Sequence, residues 1–155
     1  PEVPANWNNV GIITDNGVGD TDGDGSTAQF GSVGLFGIAR HPSDYNGNPQ
    51  FFVSDQNNNK IKLLRATTGS PAGPADYEVI TYSGTGVAGS TEGLRTTCEH
   101  NLPRLIEVCG NDIIIPNSGA HTISKLNIIT GINTHISGAT GYTLHGIGID
   151  DSDFY

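Results

Sequence analysis

The chain is short of charge, and shorter still of positive charge. Of its 155 residues only 15% are charged, with seven Lys and Arg against sixteen Asp and Glu, for a net charge of −9. Holding a phosphate backbone requires clustered Lys and Arg, so this balance excludes nucleic acid as a partner. It weighs equally against an anionic membrane surface. No apolar run approaches the roughly 18 residues of a spanning helix, and no long window carries the i, i+3, i+4 apolar pattern of an amphipathic helix. Residues 1–9, PEVPANWNN, have neither the basic start nor the apolar core of a secretory leader. If the protein is secreted, its leader is expected to have been removed already.

Signatures of chemistry are equally sparse. There is no P-loop and no Gly-x-Ser-x-Gly elbow, and none of the five histidines falls in HxH or HExxH spacing. Gly84-Thr85-Gly86 lacks the strand-to-helix setting of a dinucleotide site. Cys98-Glu99-His100 invites a nucleophile reading, but residues this close in sequence rarely orient one another. Cys98 and Cys109 are the only cysteines. Their even count leads us to expect one disulfide closing a short loop, two buried thiols being the alternative.

What the chain has is glycine (22 residues), Asn, Ser, Thr, and apolar runs of three to six. Such a composition fits many short strands joined by tight turns. Gln50 to Leu64, QFFVSDQNNNKIKLL, shows the unit. Phe51, Phe52 and Val53 make one strand; Ile61, Leu63 and Leu64 make another, with Lys60 and Lys62 alternating outward. Between them, Asp55 to Asn59 is turn chemistry, since Asn and Asp tolerate left-handed backbone. Asp112 to Leu126, DIIIPNSGAHTISKL, repeats the unit.

Read in order, strands are predicted over 10–13, 35–41, 51–53, 60–64, 77–82, 103–109, 112–115, 122–128, 132–137 and 142–149, with a further beginning at 153–155. The first strands of successive cycles contain Gly37-Ile38, Leu105-Ile106 and Gly146-Ile147. The connections repeat too: Gly17-Val18-Gly19 leads to Asp24-Gly25-Ser26-Thr27-Ala28, and Gly84-Thr85-Gly86 leads to Glu92-Gly93-Leu94-Arg95-Thr96. A four-stranded antiparallel unit repeating at about 40 residues is the pattern of a β-propeller blade. The expectation is therefore all-β. Within a single segment spanning 1–155, an outer strand and inter-blade loop occupy 10–33, a blade 34–82, a loop 83–102, a second blade 103–137, and the start of a third 142–155.

Gly37-Ile38-Ala39, Val53-Ser54-Asp55 and Asn58-Asn59-Lys60-Ile61, with the GTGVAGSTEG loop, resemble NHL repeats. Pro116-Asn117-Ser118 and His121-Thr122-Ile123 stand where that pattern has Ala-Asp and Asn-Arg-Ile. Leu35 to Pro42, LFGIARHP, is similar to the inner strand of glucose/sorbosone dehydrogenase-like propellers. The resemblance implies a ring, usually of six blades, of which this chain holds two whole ones. Either the chain is a segment of a longer polypeptide, which the stop in mid-strand at Asp153-Phe154-Tyr155 favours, or other chains complete the ring as a homo-oligomer or filament.

Function is expected to be that of a non-enzymatic extracellular or cell-surface scaffold, or a protein-interaction propeller. Its partner would be another protein or further blades of the same polypeptide. A second expectation, from the resemblance, is part of a quinone-dependent sugar dehydrogenase or amidating lyase. His41 and Arg40 would then be the base and cation, although strand alternation turns them to opposite faces. His41 and His145 fall at opposite ends of their strands, against a shared metal. A third is a calcium-dependent binding module: Asp20, Asp22 and Asp24 alternate like oxygen ligands, but position twelve counted from Asp20 is Gly31, where an EF-hand has Glu. Trp7, Tyr45, Tyr142 and Tyr155 could stack on sugar rings or serve only in packing.

Overall fold

The computed structural model describes residues 16–32 and 35–138. The expected strands at 10–13, 142–149 and 153–155, together with Trp7, Tyr142, His145 and Tyr155, lie outside the described residues.

The described chain is all-β. Its elements are β1 (Gly23–Asp24), β2 (Leu35–Arg40), β3 (Phe51–Asp55), β4 (Lys60–Ala66), β5 (Tyr77–Ser83), β6 (Gly93–Leu94), β7 (Glu107–Cys109), β8 (Asp112–Asn117), β9 (Thr122–Asn127) and β10 (Ile132–Gly138). A 3-10 turn, Pro74–Asp76, precedes β5. The strands form two antiparallel sheets, ordered β1-β5-β4-β3-β2 and β6-β10-β9-β8-β7. Each sheet therefore has five strands rather than the expected four. The extra strands, β1 and β6, come from stretches read as loops. Two residues with one glycine carry no periodicity to read, and only the pairing of Gly23 with Val79 and of Gly93 with Asn133 makes them strands. The strand expected over 103–109 shrinks to Glu107–Cys109, with Pro103 making only an isolated bridge to Asn117.

The sheets are two copies of one design. In β3–β4, Phe51 pairs with Leu64, Val53 with Lys62 and Asp55 with Lys60; in β8–β9, Ile113 pairs with Leu126, Ile115 with Ser124 and Asn117 with Thr122. Each partner lies sixty-two positions further on, from Phe51 to Ile113 and from Lys62 to Ser124. The turns match as well: Asn59 and His121 stand in the left-handed region at φ 53° and 54°. A register shift falls at the same place in both outer strands, opposite Ile61/Lys62 in one and between His135 and Ser137 in the other. The loops repeat with their own spacing. Val18 bridges Phe30 as Ala88 bridges His100, and Ala28 N–H donates to Asp24 O as Cys98 N–H donates to Leu94 O.

One core fills the space between the sheets. Ala39, Phe52, Ile61, Leu63 and Tyr82 enter it from the first sheet; Ile106, Ile113, Ile115 and Leu126 enter it from the second. In the shared register Ile113, Ile115 and Leu126 correspond to Phe51, Val53 and Leu64, which share the opposite face of the first sheet, because successive side chains alternate. The sheets thus stack head to tail, the front of one on the back of the next. At the first strands the approach is close. A Cβ on Gly37 would stand 2.7 Å from Ile106 N and 2.8 Å from Leu105 Cα, so only glycine fits there.

Candidate functional site

The polar interior of each repeat lies under its loop. Lys62, expected to point outward, is fully buried. Alternation assigned its face correctly, but residues 20–30 of the loop cover that face. The Lys62 ammonium donates to Gln29 O at 3.0 Å and lies 3.3 Å from both Asp20 and Asp22, 3.9 Å from Asp55 and 5.3 Å from the centre of the Phe30 ring. Asp55, also fully buried, accepts from Gly31 N–H at 3.0 Å and from the Asn58 amide at 2.8 Å. Burial raises its carboxyl above the ordinary carboxylate range, while those two hydrogen bonds and Lys62 pull it partly back.

The three aspartates proposed for calcium are each occupied. Asp20 pairs with Lys60 and Lys62. Asp22 accepts from Thr81 N–H at 2.8 Å and from its hydroxyl at 3.1 Å. Glu92 does the same in the second repeat, accepting from His135 N–H, so Asp22 serves the repeated anchoring of the loop to the outer strand. Asp24 accepts from Ser26 N–H within its own turn, and the Ser26 bonds lower its pKa. With an ammonium between Asp20 and Asp22, this oxygen set fits calcium poorly. Among the described residues no group of three or more His, Cys, Asp or Glu has a metal-binding arrangement.

Beneath the second loop sits a cluster of different chemistry. Ser83 Oγ lies 2.9 Å from His100 Nε2 and 3.3 Å from Cys98 Sγ, and Cys98 Sγ lies 3.8 Å from His100 Nε2. All three residues are buried. Here Cys98 and His100 do come together, aided by Ser83 from β5. The arrangement is nonetheless unsuited to nucleophilic attack: burial pushes the Cys98 thiol up, away from the reactive thiolate, and the cluster is closed to substrate. His100 is held neutral. Its pKa falls to about 4, chiefly through loss of solvation and secondarily through His135. His100 Nδ1, His135 Nε2 and both amide atoms of Asn133 have no protein hydrogen-bond partner.

The expected disulfide is not formed; Cys98 and Cys109 are free thiols. Cys98 hangs from Leu94 on β6, whereas Cys109 ends β7, and these strands are opposite edges of one sheet. A disulfide needs Cα atoms within about 7 Å.

Of the residues offered for quinone chemistry, Arg40 pairs with Asp44 at the surface. His41 takes Ser43 N–H on Nδ1 at 3.0 Å and turns to the other side, where its ring meets Phe52. Arg40 and His41 are therefore not paired with each other as base and cation.

His41 instead borders a cleft of about 420 Å³ whose lining includes Tyr45, Gln50, Arg65, Tyr82 and Arg95. Sequence reasoning missed Arg95 and Lys62. Both follow from what the loops cover, and no local motif marks them. No protein-family model matches this chain, and no curated protein matches it.

Proposed function

We propose that the two sheets are consecutive blades of an NHL-like β-propeller, and that the protein is a non-enzymatic extracellular scaffold or protein-interaction module. It would be a segment of a larger secreted, surface or assembled structure. The observation that carries this reading is the head-to-tail stacking. The contact between the two repeats is heterologous: Phe52 and Leu63 of one meet Ile113, Ile115 and Leu126 of the next. The first sheet turns Phe51 and Val53 to its far side and the second turns Ile114 to its own, Val53 and Ile114 being already covered within the chain. A heterologous contact repeated by a fixed rotation closes into a ring or grows into a filament. The recurring loop supports the same view, since it leaves the outer strand of one repeat, adds a fifth strand to the next, and delivers the chain to the next inner strand.

The scaffold half of the reading is supported by how the polar side chains are used. Asp20, Asp22, Lys60 and Lys62 are spent on one another and on the loop, and Cys98 and His100 are sealed in. Light scattering and negative-stain microscopy of the native protein test the proposal. The expected result is a particle larger than 16.2 kDa, through a longer polypeptide or an assembly, with ring-shaped projections. A stable, monodisperse 16.2 kDa monomer would overturn it. Turnover of aldose sugars with added pyrroloquinoline quinone would overturn the non-enzymatic part.

A further inference from the structure

The cleft at the strand ends combines features that a merely solvated groove would not need. In a chain of net charge −9, cations are normally claimed by carboxylates, as Arg40 is by Asp44, Arg65 by Glu78 and Lys62 by three aspartates. Arg95 makes no ion pair among the described residues. Its guanidinium carbon lies over the Tyr82 ring, 4.6 Å from the centroid; Tyr82 meets Phe52 at 4.8 Å and Phe52 meets His41 at 5.0 Å, both pairs tilted. Phe52 is buried beneath, and Arg95, Tyr82 and His41 reach the lining of the cleft. Arg65 and Tyr45 also line the cleft, with the Arg65 guanidinium carbon 4.2 Å from the Tyr45 ring centre.

Stacking orients a guanidinium and leaves its N–H edge available for the bidentate grip of a carboxylate. It also covers the ring faces. Tyr82 and Tyr45 each carry an arginine, so the cleft offers a ligand hydrogen-bonding edges more than aromatic faces. Gln50 adds an acceptor: its amide N–H donates to Ser43 O at 3.0 Å, which leaves the amide oxygen for a hydroxyl. Thr96 lines the same space. A volume near 420 Å³ is in the range of small-ligand sites.

We propose that this cleft binds a sugar that carries a carboxylate, a uronic acid, with Arg95 holding the carboxylate and Gln50 and His41 meeting ring hydroxyls. The site uses neither the side chains of the acidic loop at residues 20–24 nor those of the buried Cys98–His100 cluster. It is also independent of how many repeats complete the molecule, so its failure leaves the scaffold reading standing.

The test is titration of the full chain with galacturonate, galactose and benzoate, followed by calorimetry and by NMR shifts of the Tyr82 and Arg95 signals. Galacturonate is expected to bind saturably, galactose at least about tenfold more weakly, as befits loss of a charge-assisted pair, and benzoate no better than galactose. Arg95→Gln should abolish the difference between galacturonate and galactose with the fold retained by circular dichroism. Should Arg95→Gln fail to fold through loss of its stack on Tyr82, Arg95→Lys keeps the charge and loses the planar fork, and is expected to weaken galacturonate several-fold. Absence of saturable galacturonate binding would overturn the proposal. So would equal affinity for galactose or benzoate, or unchanged affinity in the folded Arg95 variants.

Discussion

His100 should make the protein acid-sensitive well above the carboxylate range. Its imidazole is buried, meets Ser83 through Nε2, has no partner at Nδ1, and faces a second histidine, His135, which is itself beside Glu92. In the folded protein its pKa is about 4, against 6.5 for the free side chain. The unfolded chain therefore binds a proton in the interval between these values and the native one does not. Stability is unaffected by this group above about pH 6.5 and falls as the pH drops towards 4. The linkage relation puts the loss at about 2 kcal/mol at pH 5 and about 3 kcal/mol at pH 4. Asp55, whose folded pKa is raised, has the opposite sign. It is stabilised by protonation, so it offsets part of the loss at the acid end.

A variant isolates the effect. Phe30 occupies the place of His100 in the first repeat, so His100→Phe removes the titrating group with a ring of similar shape, at a pH-independent cost to Ser83, which loses its imidazole partner. Urea unfolding of both proteins at pH 7.5 and pH 5 is the assay. With a slope of about 2 kcal/mol per molar urea, the wild-type midpoint should fall by about 1 M more than that of the variant. An equal fall in both would refute the assignment, and so would an NMR titration placing the His100 ring protons at an ordinary pKa in the native state.

Lys62→Met should cost about 3 kcal/mol, because it leaves Asp55 buried beside Asp20 and Asp22 without their cation. Adding Asp55→Asn should restore part of that loss, since the second repeat runs the same positions as a neutral Asn117–Ser124 pair, hydrogen-bonded at 2.8 Å. Thermal unfolding of the single and double variants decides it, and a double variant less stable than Lys62→Met alone would count against the pairing. For the thiols, Ellman's reagent should find one group in the native protein, the half-buried Cys109, and two after unfolding without reductant. No free thiol after unfolding would establish a disulfide.

The backbone of this protein was legible in its sequence to an unusual degree, for a local reason. Short apolar runs flanked by Asn, Asp and Gly locate strand ends, and the left-handed Asn59 and His121 sit in the turns that the Asn-rich stretch and its weaker copy mark. What could not be read was what covers each face. Alternation places Lys60 and Lys62 on one side of β4 but is silent on a loop that folds over that side, so a lysine expected in water is enclosed. The same blindness hid β1 and β6, whose strand character lies wholly in their partners. Arg95 is one residue in a polar loop until Tyr82, thirteen positions earlier, is placed beneath it.

The interiors also differ where the backbones agree, and that difference has a use. Two loops of nearly identical path could dock on each other's sheets. The first carries Asp20 and Asp22 to Lys62; at the equivalent positions the second carries Ser90 and Glu92, and Glu92 is committed to His135. Exchanged, the second loop would bring one carboxylate to Lys62 in place of two, and His100 in place of Phe30. The first loop would bring two carboxylates over Ser124, where no cation waits, and Phe30 against Ser83 in place of the imidazole that bonds it. Each mismatch buries an uncompensated charge or an unmet polar group, at a cost of several kcal/mol. Such penalties would let a chain of similar hairpins tell its own loops apart through the charged and polar groups it keeps at these positions.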